Sequence, residues 1–179
     1  RENGVQSKNY YLVVGRFVPE NNYETMITEY MKSKTKKKFV LITNVEKNQF
    51  YESLKEKTNF DRDERIKFIG TVYDQELLKK IRENAYGYIH GHEVGGTNPS
   101  LLEALATTEL NLLFNKEVGQ GGAMYWNKEE GNLSSLIDKS DTLDEKDTEK
   151  LSKLAKERIE KEYAWEKIII KYEECFRKK

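Results

Sequence analysis

Cysteine is almost absent from the sequence. Cys175 is the single thiol, it sits in a C-terminal helical pattern, and with no second cysteine the chain can close no internal disulfide. That fits a structural thiol in a reducing compartment, so the protein is expected to be cytoplasmic. Net charge is absent too, because 31 Lys and Arg offset 31 Asp and Glu. Their mixing along the chain leaves no sustained basic face to neutralise phosphates, so nucleic acid is not an expected partner. The one single-sign cluster, KSKTKKK at 32–38, reads as a solvated helix end ahead of an apolar strand. No apolar run approaches the roughly 20 residues that cross a bilayer, and the start of the sequence has neither the charged nor the apolar region of a signal peptide. No spacing of histidines, cysteines and carboxylates resembles a metal site, and no serine or cysteine sits in a nucleophile elbow. Neither a protein-bound metal, nor a cofactor, nor a covalent serine or cysteine intermediate is therefore expected. The first strand ends in GRF rather than a G-x-G-x-x-G turn, and no G-x-x-x-x-G-K-[ST] loop occurs, which argues against dehydrogenase and P-loop phosphate-transfer chemistry.

What the sequence does contain is an alternation of strand and helix patterns. Its 179 residues suffice for one domain with a real core. The stretch RENGVQSKN (1–9), opening on Arg1, reads as a linker or a cut between the domains of a longer protein. YYLVVG (10–15) is a short apolar run ended by glycine, and the segment after Pro19 carries apolar residues at helical spacing. The pattern recurs: FVLIT (39–43), IKFIG (66–70) and AYGYIHG (85–91) are each followed by a helical stretch. LNLLF (110–114) is a fifth buried-type strand and AMYW (123–126) a sixth, ahead of a short helix near Leu133–Ile137 and two final helices around 151–159 and 165–172. Strands separated by helices imply right-handed crossovers, hence a Rossmann-like, doubly wound parallel sheet of about six strands with helices on both faces. With the strand order 3-2-1-4-5-6, the helices after strands one and four leave on opposite faces and open a ligand crevice at the carboxyl ends of those strands. The loops there would be GRFVPENN (15–22) and HGHEVGGTN (90–98).

The second loop concentrates special residues. Asn98 suits a helix N-cap and Pro99 the first helical position, where its missing N–H was never going to be bonded. Gly95 and Gly96 just before it let a ligand approach free amides, and the positive helix end favours an anion, most naturally phosphate. Ser100, Glu103 and Thr107 fall on one stripe, with Leu101, Leu102 and Leu105 toward the sheet. A carboxylate at Glu103 repels phosphate but can accept two hydrogen bonds from a sugar diol. Arg16, immediately after Gly15, offers a fork suited to diphosphate oxygens. Singly, these residues read equally as a tight turn and a solvated helix face; it is their coincidence on two loops joined by topology that points to a site. His90 belongs to the strand and reads as a packed, hydrogen-bonded core histidine, whereas His92 lies in the loop as a ligand contact.

VVGRFVPENNYETMI, FIGTVYDQELLKKIRENAYGYIHGHEVGGTNPSLLEALA and YAWEKIIIKYEECF together resemble, in order and spacing, the C-terminal nucleotide-sugar-binding half of retaining GT-B glycosyltransferases of the group 1, family-four type. PENN and GGTNPSLLEA more specifically resemble bacterial rhamnosyltransferase-like enzymes of capsule and cell-wall polysaccharide synthesis. The resemblance implies a donor-binding domain over 10–162 and a closing helix at 163–179 that packs toward an N-terminal domain carrying the glycan or lipid-linked glycan acceptor. It leaves room for peripheral association of the full-length protein with the inner face of the membrane. It implies Arg16 on the diphosphate, Glu103 on the ribose hydroxyls, Gly70, Val72 and Tyr73 at the nucleobase, and the amides of Ser100 and Leu101 facing the diphosphate. Two positions depart from the family pattern. Asn21 stands where a second basic residue is usual, and Gly95 where a first glutamate touches the donor sugar, leaving Thr97 or Asn98 to make those contacts. A GT-B epimerase or phosphorylase, and a non-catalytic nucleotide- or glycan-binding module, are the alternatives.

Overall fold

The computed structural model describes residues 6–93, 98–114 and 116–163. Six strands form one sheet: β1 (Tyr10–Val14), β2 (Lys38–Ile42), β3 (Ile66–Ile69), β4 (Gly87–His90), β5 (Leu110–Leu113) and β6 (Met124–Tyr125). Their order is β3-β2-β1-β4-β5-β6, and every pairing is parallel. The helices are α1 (Tyr23–Lys32), α2 (Gln49–Thr58), α3 (Gln75–Glu83), α4 (Pro99–Thr107), a single turn α5 (Lys116–Gly119), α6 (Asn132–Ser140) and α7 (Glu145–Glu162). The expected order and the reversal between β1 and β4 are both present.

Period-two alternation along the strands builds two apolar layers. Tyr11, Val13, Phe39, Leu41, Leu110 and Leu112 face one layer, completed by Met26 and Ile27 of α1, Leu54 of α2 and Ile137 of α6. Tyr10, Leu12, Val40, Ile42, Tyr88 and Leu113 face the other, completed by Leu78 of α3, Leu101 and Leu105 of α4 and Ala155 of α7. Helices α1 and α4 therefore lie on opposite faces, and the gap between them opens over the carboxyl ends of β1 and β4.

Several boundaries differ from expectation, each for a local reason. Pro19–Asn21 forms a separate 3-10 turn, because Asn22 takes a left-handed conformation (φ 56°), and α1 begins at Tyr23, the first of the expected apolar positions. The KSKTKKK stretch is not simply a solvated end: Ser33 and Thr35 are buried, and the run folds against α6. Ser7 and Lys8, within the stretch read as linker, bond to Asn84 and to the Glu83 carbonyl, so ordered structure begins before β1. Helix α7 starts at Glu145, after the Asp144 cap, six residues before the expected apolar pattern. It lies so close to Gly122 that a Cβ there would run into Ala155, and its buried face is built of Thr148, Ser152 and Ala155, small side chains that leave no strong apolar period. The expected helix at 165–172 and Cys175 lie outside the described residues. None of the described helices is long and apolar enough to cross a membrane.

Candidate functional site

The two predicted loops meet. Asn22 Nδ2 donates to the Gly91 carbonyl at 2.7 Å, and a Cβ on residue 91 would run into the Asn21 carbonyl oxygen, so only glycine lets the loops close this tightly. Asn21 Nδ2 donates to the Arg16 carbonyl (2.8 Å), which turns the amide oxygen toward His92 Nδ1 at 2.5 Å. With the Asn21 amide so oriented, His92 Nδ1 is the donor of that contact. Asn21 thus acts as a clamp between the two loops. Behind them Tyr23, fully buried, donates to the Gly15 carbonyl at 3.0 Å, and burial holds its phenol protonated by raising its pKa.

Between the loops lies a cavity of about 230 Å³ lined by Gly15, Arg16, Asn21, His90, His92 and Ser100, among others. Asn98 lies on its rim. Arg16 is exposed, and its guanidinium engages no acceptor among the described residues. His90 is buried beside Tyr88, ring centroids 6.0 Å apart. The expectation that it is hydrogen-bonded is corrected: among the described residues its ring makes no hydrogen bond, because its strand neighbours are apolar and it ends at the cavity. Burial, with the charge of His92 adding to it, pushes its pKa down to about 4, so the imidazole is neutral near pH 7. A larger groove of about 850 Å³ lies at the amino edge of the sheet along α7, lined by Lys8, Tyr86, Glu109 and Ser152. Its charges come from an acidic and basic helix face without a convergent geometry, so its size alone does not make it the site.

The start of α4 already engages the amides expected to face a diphosphate. The Asn98 side chain accepts from the Ser100 amide at 2.9 Å, and the Asn98 carbonyl accepts from the amides of Leu101 and Leu102 at 3.0 and 3.1 Å. The Ser100 and Leu101 amides therefore already have acceptors within the helix. An anion claiming the Ser100 amide must displace the cap side chain, an exchange of one acceptor for another. Leu101 itself points into the core at 2 % exposure, while Leu102 is only half-buried. Gly95, Gly96 and Thr97 lie outside the described residues.

Glu103 sits one turn along α4, half exposed, and Oε2 forms an ion pair with Arg82 Nη1 at 2.6 Å. Arg82 is 4 % exposed although it sits on α3. Its Nη2 donates to Ser100 Oγ (3.2 Å), Ser100 Oγ meets the Tyr88 hydroxyl (3.2 Å), and Tyr88 donates to the Val14 carbonyl (3.3 Å). Burial raises the Tyr88 pKa and keeps that donor protonated. A polar chain thus runs from the end of β1 through β4 to α4 and α3. Sequence reading misses Arg82, although a signal is there: Leu78, Ile81, Arg82 and Ala85 share the apolar spacing, and a charge on that stripe has to find a partner. Val72 is half-buried in the layer under α3 and α4, Gly70 has open space beside it, and Tyr73 is 85 % exposed. These three lie beyond β3, two strands from β1, outside the cavity. Among the described residues no three His, Cys, Asp or Glu side chains cluster as a metal site would require.

No family model and no curated protein matches this chain in sequence. Solved structures do match in fold. A glycosyltransferase from Rickettsia africae superposes with a TM-score of 0.79 at 14 % identity, over 98 % of this chain and 48 % of its own. Sucrose-phosphate synthase from Thermosynechococcus elongatus gives 0.78 at 18 % identity, over 98 % and 46 %. The C-terminal domain of a group 1 family glycosyl transferase from Francisella tularensis gives 0.69 at 16 % identity, over 90 % and 89 %. The chain spans about half the length of the first two and most of the length of the third. The shared feature is the fold, a Rossmann-like parallel sheet.

Proposed function

We propose that this chain is the donor-binding half of a glycosyltransferase that holds a nucleotide diphosphate sugar at the β1–β4 crevice. One observation carries the reading: the guanidinium of Arg16, without an acceptor among the described residues, and the amino end of α4 converge on the one crevice that the strand order creates, on a fold shared with solved glycosyltransferases. In the reaction we infer, the bond between the anomeric carbon and the diphosphate oxygen breaks, and negative charge grows on the leaving diphosphate. Arg16 and the α4 dipole stabilise that charge more in the transition state than in the bound donor, which is what lowers the barrier. The neutral His90 donates to a donor oxygen without adding charge. No metal is needed for this step. The acceptor hydroxyl arrives from a second domain on the face the leaving group vacates, its oxygen bonds to the anomeric carbon with retention, and its proton passes to the departing diphosphate oxygen.

The finer reading is transfer of a hexosyl or deoxyhexosyl unit, rhamnosyl among them, to a glycan or lipid-linked glycan in capsule or cell-wall polysaccharide synthesis. It is supported by the PENN and GGTNPSLLEA segments. Thermal unfolding against a panel of nucleoside diphosphates and their sugars tests the donor assignment, since a ligand that binds only the folded chain raises its melting temperature. Arg16→Ala should weaken the best nucleoside diphosphate by at least about tenfold, the loss of one charge-assisted contact. Binding unchanged in that variant would refute the assignment. Conversion of donor sugar by the full-length protein without any acceptor would favour an epimerase instead.

A further inference from the structure

A carboxylate next to a diphosphate site is a liability, because like charges a few ångströms apart repel. Glu103 lies one turn from the amino end of α4, outside the residues that line the cavity, and the structure pairs it with Arg82 of another element, which also bonds Ser100 on the cavity wall. We propose that Arg82 is a positioning residue that makes Glu103 usable as a receptor for the furanose hydroxyls of the nucleotide. This rests on the donor-site reading above and goes beyond it by placing part of the sugar selectivity on α3.

The geometry gives Arg82 two roles. Its Nη1 takes Glu103 Oε2 at 2.6 Å, while Oε1 joins no ion pair or hydrogen bond among the described residues. One oxygen is thereby held and the other is left to accept from a hydroxyl, in an orientation set by a guanidinium that is itself 4 % exposed and unable to move far. Without that anchor a half-exposed glutamate samples several rotamers, and binding a diol would have to order it. The second role is electrostatic: the guanidinium neutralises the carboxylate, so the pair presents an acceptor oxygen to the furanose without repelling the phosphates. Arg82 is fixed in turn by Ser100, through Tyr88 and the Val14 carbonyl, so the same fork ties the hydroxyl receptor to the end of β1 where Arg16 begins. Among the described residues its Nε is buried with no partner, and the guanidinium is held by its two outer nitrogens, one on Glu103 and one on Ser100.

The test compares affinities of the chain for a nucleoside diphosphate and for its analogue lacking all furanose hydroxyls. The probe is the tightest binder among the uridine, thymidine, guanosine, adenosine and cytidine diphosphates, measured by calorimetry. We expect the unaltered chain to prefer the hydroxylated form by about tenfold, the scale of a hydrogen bond to a charged acceptor. In Arg82→Met the preference should fall to about twofold or less, and affinity for the analogue should fall as well, by about threefold, because the carboxylate left unpaired repels the diphosphate that both ligands carry. Glu103→Ala should abolish the preference, and Arg82→Met added to it should remove nothing further, because the two residues act as one unit. Equal loss of affinity for both ligands in Arg82→Met, or a preference left at its starting value, overturns the proposal while leaving the donor site standing. If Arg82→Met does not fold, Arg82→Lys decides: one ammonium cannot hold Glu103 and Ser100 together, so the preference should drop by about threefold, and an undiminished preference overturns the proposal. If no nucleoside diphosphate binds the unaltered chain more tightly than about 1 mM, the donor reading falls and this inference with it.

Discussion

The two edges of the sheet treat their polar groups in opposite ways. At the amino edge the charged groups are densely bonded. Arg65, just before β3, places its guanidinium on Asp63 and on the carbonyls of Met31, Ser33 and Thr35, above the Tyr30 ring. Asp141, after α6, accepts from the hydroxyls of Tyr11 (2.7 Å) and Thr35 (2.5 Å) and from Lys37 Nζ (2.9 Å). At the carboxyl edge Arg16 and His90 have no such partners among the described residues, and the α4 amide of Ser100 is held by a side chain that can swing away. A saturated network rigidifies a fold; unsaturated groups around a cavity, held in place by loops that are themselves well bonded, are set up for a ligand. Arg82 stands between the two cases, half committed to Glu103 and half to the scaffold.

Breaking the amino edge should have the largest effect. Asp141→Ala strips the buried Tyr11 hydroxyl, Thr35 and Lys37 of their common acceptor and is expected to lower stability by about 3 kcal/mol in urea unfolding. A loss under about 1 kcal/mol would show that this network is not what distinguishes the edges.

Acid should expose the unsatisfied histidine of the carboxyl edge next. His90 has a depressed pKa in the folded chain, about 4 against an ordinary 6.5, so between these values the unfolded state binds more protons. Stability present above pH 6.5 is therefore lost as pH falls, by about 1.5 kcal/mol between pH 6.5 and 5. His90→Gln should flatten that slope; an equally steep slope in the variant would mean that His90 is not its source. Glu29 adds to acid sensitivity at lower pH. Burial alone would raise its pKa, but the Gly131 and Ser134 amides together with Lys32 outweigh it and hold the carboxyl below its ordinary range.

Gly91→Ala attacks the junction between the loops, since the added methyl meets the Asn21 backbone. A loss of roughly 1–2 kcal/mol is expected, together with weakened nucleotide binding as Arg16 and His92 are pushed apart. Unchanged binding would show that the clamp does not shape the cavity. The smallest effect on stability belongs to Arg16→Ala, expected within about 0.5 kcal/mol because the side chain is exposed and bonds to nothing among the described residues. A larger destabilisation would place Arg16 with the structural arginines and dissolve the contrast between the edges.

Much of this architecture is legible in the amino-acid sequence. Alternating β-branched runs and helical stripes announce a parallel sheet, and the odd composition of residues 15–22 and 90–98 picks out the crevice loops. Other features are not legible there, because they depend on neighbours distant in the chain. Arg82 looks like an ordinary basic residue in a last helical turn until α4 covers it. His90 looks satisfiable until the strands beside it prove apolar and the cavity takes its edge. Asn98 is the cap that its position suggests, yet that same bond occupies the Ser100 amide that a phosphate would use.

Local periodicity and turn chemistry alone determined the elements, their parallel arrangement and the meeting of the β1 and β4 loops, since these follow from short-range sterics and from burying both faces of a sheet. Which charges are satisfied was decided only by tertiary packing. Whether a guanidinium is anchored or available depends on the groups that the fold brings within about 3 Å of it, and a polar network of this kind joins residues as far apart as Tyr11 and Asp141.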